Sequence, residues 1–287
     1  MTTEFLAAGF RRDLSVPRKV SRDFFRVVRV LCAPARRWQW RRAALGVGGL
    51  LVVFAVWWVA IEGLTTEESF GRRFSPVRAV VSLGGLLMQS DLPLHVAVSL
   101  RRIFVGLAGA LAIGVPVGLA VGSLRVVEAA TSPAFQFLRM ISPLSWMPIA
   151  VMLFGVGDSP IYFLLIFAAV WPILLNTAAG VRQLDRHALQ LARSLAATRW
   201  ETLRHVVLPG VLGHVLTGVR LAIGILWIVL VPCEMLGVSA GLGYFILDTR
   251  DRLAYSELMA MVLLIGFLGF FLDTAARGLY RLRMKEA

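Results

Sequence analysis

Residues 103–123 read IFVGLAGALAIGVPVGLAVGS, an uninterrupted run in which no side chain carries a charge. At about 1.5 Å of rise per helical residue, such a run spans roughly the 30 Å hydrocarbon core of a bilayer. Gly106, Ala110, Gly114, Gly118 and Gly122 recur at steps of four, so one face of the helix carries almost no side-chain bulk and another helix can approach it closely. Pro116 predicts a kink of the kind membrane helices tolerate when neighbours re-satisfy the backbone.

Five further blocks of the same character lie outward from this one: Ala43 to Ile61, Pro133 to Phe154, Pro160 to Gly180, Val211 to Cys233, and Leu258 to about Arg277. The expected fold class is therefore all-α, a polytopic membrane helical bundle of about six transmembrane helices. Composition agrees. The 287 residues are 58% hydrophobic and 16% charged, with a mean hydropathy of +0.75, which a soluble globular domain rarely shows. The first block is too long, and too poorly followed by small-residue cleavage signals, for a cleaved signal peptide. We expect it to remain as an anchor.

A net charge of +13 would invite a nucleic-acid reading were the charges not so unevenly placed. With a cytoplasmic N-terminus, residues 1–42, the turn at Arg125, Val181 to Gly210 and the tail from Arg277 hold 21 of the 30 Lys and Arg residues. The opposite side keeps five, at Arg72, Arg73, Arg78, Arg250 and Arg252. This is the positive-inside pattern, and it places both termini in the cytoplasm. Attraction to anionic membrane lipid is a secondary effect, and nucleic acid is not needed to explain the charge. The expected domains are a basic cytoplasmic segment 1–42 with a surface elbow helix at Ser21 to Leu31, a transmembrane domain 43–280, and a tail 281–287. Val77 to Met88, bounded by Pro76 and Pro93, predicts a further helix along the outer interface.

Cys32 and Cys233 fall at different expected depths, so no disulfide framework follows. The four histidines are scattered without metal-ligand spacing. Asp158, Asp185, His187 and Glu201 are loop residues that form no catalytic constellation, so no catalytic residue and no resident cofactor or metal is expected.

Polar residues within the spans mark a candidate pathway. On the fifth block Thr217, Arg220, Gly224, Trp227, Val231 and Glu234 recur at steps of three and four, giving one polar, aromatic or small face. Arg220 lies about 14 Å along the helix from Val211, and Glu234 about 21 Å beyond Arg220, so the two cannot pair with each other. A charge at such depth faces protein or a water-filled cavity; a pathway lining and a structural ion pair both satisfy that. The third and fourth blocks contain Pro143, Pro148 and Pro172 among Ser142, Ser145, Trp146, Trp171 and Asn176. Interrupted helices expose backbone that hydrocarbon does not tolerate unless protein or water adjoins it. Ser142, Trp146, Trp171, Asn176, Thr217, Arg220, Trp227, Glu234 and Met235 are the candidate substrate-pathway residues.

Between the fourth and fifth blocks, Val181 to Gly210 is too hydrophilic to cross the membrane. Leu191, Ala192 and Leu195 alternate with Arg193 and Arg199, and Trp200, Leu203 and Val207 continue a helical face before Pro209. Two short helices joined near Ala196 to Thr198 are expected, presenting an apolar and basic docking surface.

At this loop the chain resembles the permease subunits of type I ATP-binding-cassette importers, whose signature is Glu-Ala-Ala, three residues, Gly, nine residues, then Ile-x-Leu-Pro. Here the register falls on Gln190-Leu191-Ala192, Ala196 and Val206-Val207-Leu208-Pro209, with Gln190 in place of the acid, Leu191 in place of an alanine and Ala196 in place of the turn glycine. The resemblance extends over about residues 76–280, through Ser99-Leu100-Arg101-Arg102, Pro143 to Pro148, Trp171 to Asn176 with Thr177-Ala178, Cys233-Glu234-Met235 and Gly241 to Asp248. It is to the nitrate, bicarbonate, sulfonate and taurine branch, nearest its nitrate and bicarbonate members. The first 40 residues match nothing named.

The resemblance implies a permease dimer, two cytoplasmic ATPases that bind ATP and magnesium, an extracytoplasmic substrate-binding protein, and a bacterial inner-membrane location. It also implies import by alternating access, with Gln190, Leu191, Ala192, Arg193, Leu195, Ala196, Ala197, Thr198, Trp200, Leu203, Leu208 and Pro209 as the ATPase-coupling residues. The sequence independently requires a separate ATPase: a phosphate-binding loop needs Gly-Lys, and the only lysines are Lys19, after Arg18, and Lys285, after Met284. The other expectations weighed are a sulfonate or taurine permease, an ion-coupled secondary transporter using Arg220 and Glu234, a membrane-embedded enzyme, and a structural membrane subunit.

Overall fold

A computed structural model describes residues 35–63, 69–88 and 91–286. The basic segment and elbow helix expected before residue 35 lie outside the described residues. The chain divides into two units, Met1–Leu64 and Thr65–Ala287. In the first, helix α1, Ala35–Trp58, continues into a wider turn, Val59–Gly63. Its apolar portion, Gly48–Gly63, carries exposed Leu50, Leu51, Val52, Val53 and Val56, side chains that only a lipid or protein environment would cover without cost.

The described residues of the second unit form helices joined by short turns, with no strand among them. A 3₁₀ turn, Phe70–Phe74, leads to α2, Pro76–Met88, then α3, Asp91–Ser123, and α4, Arg125–Met140. Another 3₁₀ turn, Pro143–Trp146, opens α5, Met147–Phe154, followed by α6, Asp158–Arg182. Short helices α7, Arg186–Ser194, and α8, Arg199–Thr202, precede α9, Leu208–Glu234. The unit ends with α10, Leu242–Asp251, and α11, Tyr255–Glu286.

The expected all-α bundle is present, with three differences in its spans. Among the described residues four helices are long and apolar enough to cross a bilayer, in α3, α6, the stretch Arg199–Glu234 and α11, or five if the bent pair Arg125–Met140 and Pro143–Phe154 is one span, and the first expected block falls within α1 and the turn that continues it. The expected span Pro133 to Phe154 is a pair of helices bent by 87°. The helix breaks at Ile141 and Ser142, with ψ of 126° and 129°; at Ser142 the ring of Pro143 disfavours helical geometry in the residue before it. Pro148 falls instead in the first turn of α5, where its missing N–H costs nothing. The third difference is at the start of the 103–123 block, since α3 begins at Asp91. The buried positions Leu92, His95, Ser99 and Arg102 continue the stripe of Gly106, Ala110, Gly114 and Gly118, so helical periodicity runs through the charged turn.

That stripe packs along α6 with the two helices parallel. A Cβ on Gly106 would stand 2.7 Å from the Cβ of Leu165, one on Gly118 2.7 Å from the Leu174 carbonyl oxygen, and one on Gly122 2.8 Å from the Ala178 carbonyl oxygen. Close packing of this face, expected from the glycine spacing, is what the structure contains. Helix α9 runs antiparallel against another face of α6, with Gly180 against His214 and Gly218 against Ile173. Ile103, Leu164, Leu165, Ile173, Leu226 and Leu230 are among the large residues of the central core. A second core gathers Leu86, Leu92, Leu242, Phe245, Met261 and Leu264 from α2, α3, α10 and α11.

Candidate functional site

The helix directions define two ends of the second unit. At one end, Arg182 pairs with Glu128, and His214 Nε2 is 3.1 Å from Gln183 Oε1. This end carries α7 and α8. Asp185 caps α7 by accepting from the His187 N–H at 2.9 Å. The helix closes with paired bonds, Ala197 N–H to the Ala192 carbonyl and Ala196 N–H to the Arg193 carbonyl, both 3.0 Å, the arrangement that requires a left-handed residue just past the helix end. Ala196 is that residue, at φ 54°. An L-residue there costs on the order of 1 kcal/mol that glycine would not. The next helix starts at once, because Thr198 and Glu201 cap each other reciprocally and so satisfy two orphan N–H groups.

Two short helices joined at Ala196 to Thr198 were expected and are present, with one difference. The second does not end before Pro209 but runs through a wide turn, Leu203–Val207, into α9. Pro209 has no N–H to give His205, and the Leu208 N–H reaches back five residues to the Leu203 carbonyl, which keeps the helix continuous around the missing donor. Leu191, Leu195 and Trp200 are 62%, 73% and 66% exposed. Leu191 and Leu195, with Ala192, Ala197 and the α8 residues Glu201 and Thr202, border an open groove of about 430 Å³. Gln190, Arg193 and Ala196 are also exposed, Leu208 and Pro209 lie where the turn enters α9, and Leu203 is half-buried.

The opposite end holds a buried ionic cluster. Glu234 accepts from Ser99 Oγ at 2.8 Å, from Arg102 Nη1 at 2.7 Å and from the Gly243 N–H at 3.0 Å. Arg102 also donates to the Ala240 carbonyl at 2.7 Å and to Asp158 Oδ1 at 2.6 Å. Asp158 in turn receives Arg101 at 2.9 Å. Above the cluster the Leu242 N–H reaches Ser99 Oγ at 2.9 Å and the Gly241 N–H reaches His95 Nδ1 at 3.0 Å. Four helices and the 235–241 turn are thereby tied at one point. An open cavity of about 630 Å³ beside it is bordered by Arg101, Asp158, Gly157 and Ser239.

Between the ends lies an aromatic cluster. Trp146 and Trp171 both sit against Phe167, each at 5.6 Å between centroids, and Phe135 adjoins Trp171 at 5.7 Å. It connects the break between α4 and α5 to the middle of α6. Neither indole N–H finds an acceptor among the described residues, and a buried donor left unmet costs about 1–3 kcal/mol.

Of the pathway candidates, then, Trp146 and Trp171 are brought together, with Ser142 exposed at the break that precedes them. Asn176 donates to the Pro172 carbonyl at 2.8 Å and Thr217 to the Gly213 carbonyl at 2.9 Å. Trp227 Nε1 donates to the Ile265 carbonyl at 3.0 Å, tying α9 to α11. Arg220 meets Asp273 of α11 through Nε at 3.3 Å, and Arg277 shares the same carboxylate. Glu234 is enclosed in the ionic cluster with half-buried Met235 at the helix end. Arg220 and Glu234 are not paired, as their separation along α9 required.

Sequence reasoning passed over Arg102, Ser99, His95, Asp158 and Asp273. Two signals could have found them: the spacing of His95, Ser99 and Arg102 on one helical face, and a carboxylate at Asp273 inside an apolar run, which needs a partner. Among the described residues no group of three or more His, Cys, Asp or Glu side chains is placed to hold a metal.

Comparisons with known proteins agree with one another. The family model described as "Binding-protein-dependent transport system inner membrane component" matches residues 112–283. The chain is 31% identical to the taurine transport system permease protein TauC of Escherichia coli (strain K12), over 85% of this chain and 91% of that protein. It is 40% identical to the bicarbonate transport system permease protein CmpB of Synechococcus elongatus, over 64% of this chain and 66% of that one. To the nitrate import permease protein NrtB of Synechocystis sp. it is 31% identical, over 81% and 85%. The fold is similar to a chain in the inward-facing MetNI methionine ABC transporter, with a TM-score of 0.55 at 17% identity, covering 67% of this chain and 95% of that one.

Proposed function

The chain belongs to the family of binding-protein-dependent transport system inner membrane components, and from that premise we propose that it imports a small oxyanion, nitrate or bicarbonate first. As an ABC importer permease and a multi-pass inner-membrane protein it breaks no bond itself; its contribution is differential affinity between cavity states. In this reading ATP and magnesium bind partner ATPases docked on the groove of α7 and α8. A binding protein delivers solute to the end that carries Arg101 and Asp158. A second permease copy completes the pathway, and both termini are cytoplasmic.

The observation that supports this reading most directly is the continuity of α8 with α9. The exposed α8 is not part of a pendant loop: through Leu203–Val207 it is one helix with the span that bears Thr217, Arg220 and Trp227. Force applied at Trp200 therefore reaches Arg220 along a helix, and force applied at Leu191 and Leu195 enters it through the hydrogen-bonded turn at Ala196 to Thr198, as a rocking mechanism requires. Arg220 spends Nε on Asp273 at 3.3 Å, and its cationic field is what an anion would meet.

A taurine or sulfonate substrate is the second reading, favoured by the similarity to TauC across nearly its whole length. Nitrate, bicarbonate and the sulfonate of taurine share the oxyanion chemistry that the proposal names. The test is uptake into proteoliposomes holding this chain with its ATPase and binding protein. ATP-dependent accumulation of nitrate, bicarbonate or taurine is the expected result. Uptake driven by a proton or sodium gradient without ATP would instead make the chain a secondary transporter.

A further inference from the structure

Three buried side-chain nitrogens find no hydrogen-bond partner among the described residues: Trp146 Nε1, Trp171 Nε1 and Arg277 Nε. Arg277 still engages Asp273 through its terminal nitrogen. The two tryptophans are different, because an indole has a single donor and in each it is unspent. Trp227 shows the ordinary solution in the same bundle, its N–H bonded to the Ile265 carbonyl at 3.0 Å. Trp171 is only 9% exposed and Trp146 is half-buried, and neither indole nitrogen is open to solvent. A docked subunit therefore cannot supply the missing acceptor without the cluster opening.

The place of the pair matters. Both indoles flank Phe167, and Trp146 lies at the 87° break between α4 and α5, where Ile141 and Ser142 leave helical geometry. A phenyl ring at either position would keep the aromatic packing and remove the unmet donor. Unsatisfied buried donors in native proteins call for an explanation in function, strain or water. Broken helices beside such groups are where transporters bind their solutes.

We infer that the N–H groups of Trp146 and Trp171 are donors held for the oxygens of the transported solute, which they meet when the helices around the α4–α5 break separate. The ligand class is an oxyanion, whose oxygens are acceptors on every side. This rests on the oxyanion-importer reading and adds the contact residues for it. The donors are uncharged, so the solute is bound without the tight ion pair that would slow its release.

The experiment uses the full complex, with the binding protein saturated by whichever of nitrate, bicarbonate or taurine the wild type carries. Trp146→Phe and Trp171→Phe each lower uptake at least fivefold while the ATP hydrolysed per solute moved rises. Benzothienylalanine at the same positions, equal in volume but without the N–H, gives the same loss with an unchanged or higher melting temperature. Uptake within twofold of wild type in the benzothienylalanine proteins overturns the assignment. So does a lower melting temperature in both, since that would mean the N–H groups already have partners. Should the wild-type complex carry none of the three solutes, the oxyanion reading itself fails and takes this assignment with it; undiminished uptake in the variants sinks the donor role alone.

Discussion

Arg102 Nη1 lies 2.7 Å from Glu234 Oε1, with 3% of one side chain and none of the other exposed. Arg102 is the only cationic partner of Glu234 among the described residues, while Arg102 also keeps Asp158 at 2.6 Å, so breaking the buried pair leaves an under-compensated ion at a cost of up to roughly 3–5 kcal/mol. Glu234→Gln keeps the shape but removes the negative charge that faces Arg102, Ser99 and the Gly243 N–H. The purified protein should melt several degrees lower. Replacing both members with methionine should recover much of the loss, because well-packed apolar residues often match a buried pair in stability. Thermal unfolding in detergent decides it, and a Glu234→Gln protein that melts with wild type would show the pair to be energetically idle.

Gly241 roofs the same cluster at φ 130°, and a Cβ there would stand 2.5 Å from Glu234 Cδ and 2.6 Å from Arg102 Nη1. Both the backbone region and the space exclude a side chain. Gly241→Ala should therefore be at least as damaging as Glu234→Gln, with loss of folded protein on size exclusion. Gly224, beside which a Cβ would meet nothing within 4 Å, is the control, and Gly224→Ala should leave recovery unchanged. Equal recovery of the two variants would contradict the packing described here.

How much of this was readable beforehand depends on whether the signal is local. The glycine face of α3 announced its packing because spacing alone sets which residues share a helix face. The turn at Ala196 to Thr198 was legible because caps are short-range chemistry. Glu234 was recognisable as a buried acid on α9, but its partner Arg102 lies 132 residues away, and only tertiary packing brings the two together. Asp158 looked like an unremarkable loop acid for the same reason. The break at Pro143 was legible as an interruption, whereas the 87° bend it produces depends on how α4 and α5 pack around α6.

Arg220 is 44% exposed and meets Asp273 at 3.3 Å, an ion pair too open to matter much for stability. Arg220→Ala should leave assembly with the ATPase intact and change melting little, while substrate-stimulated ATP hydrolysis falls about tenfold, equivalent to roughly 1.4 kcal/mol of lost transition-state stabilisation. Asp273→Asn releases the guanidinium from its partner and should alter the same readout without abolishing it. Turnover unchanged in Arg220→Ala would remove this arginine from the pathway.

The turn residue Ala196 separates backbone strain from surface charge in the docking of the ATPase. Its φ of 54° is a region asparagine and aspartate enter more easily than other L-residues and β-branched residues hardly at all. Ala196→Gly should stabilise the α7–α8 element by up to about 1 kcal/mol and retain full ATPase co-purification. Ala196→Val should lose it through the backbone. Asparagine and aspartate have nearly the same shape, so Ala196→Asn should keep most of the recovery, while Ala196→Asp loses it several-fold by placing an unpaired charge beside the apolar side chains of Leu191, Leu195 and Trp200. Equal recovery with asparagine and aspartate would mean that no partner desolvates this turn, and the groove of α7 and α8 would have to be given up as the ATPase contact.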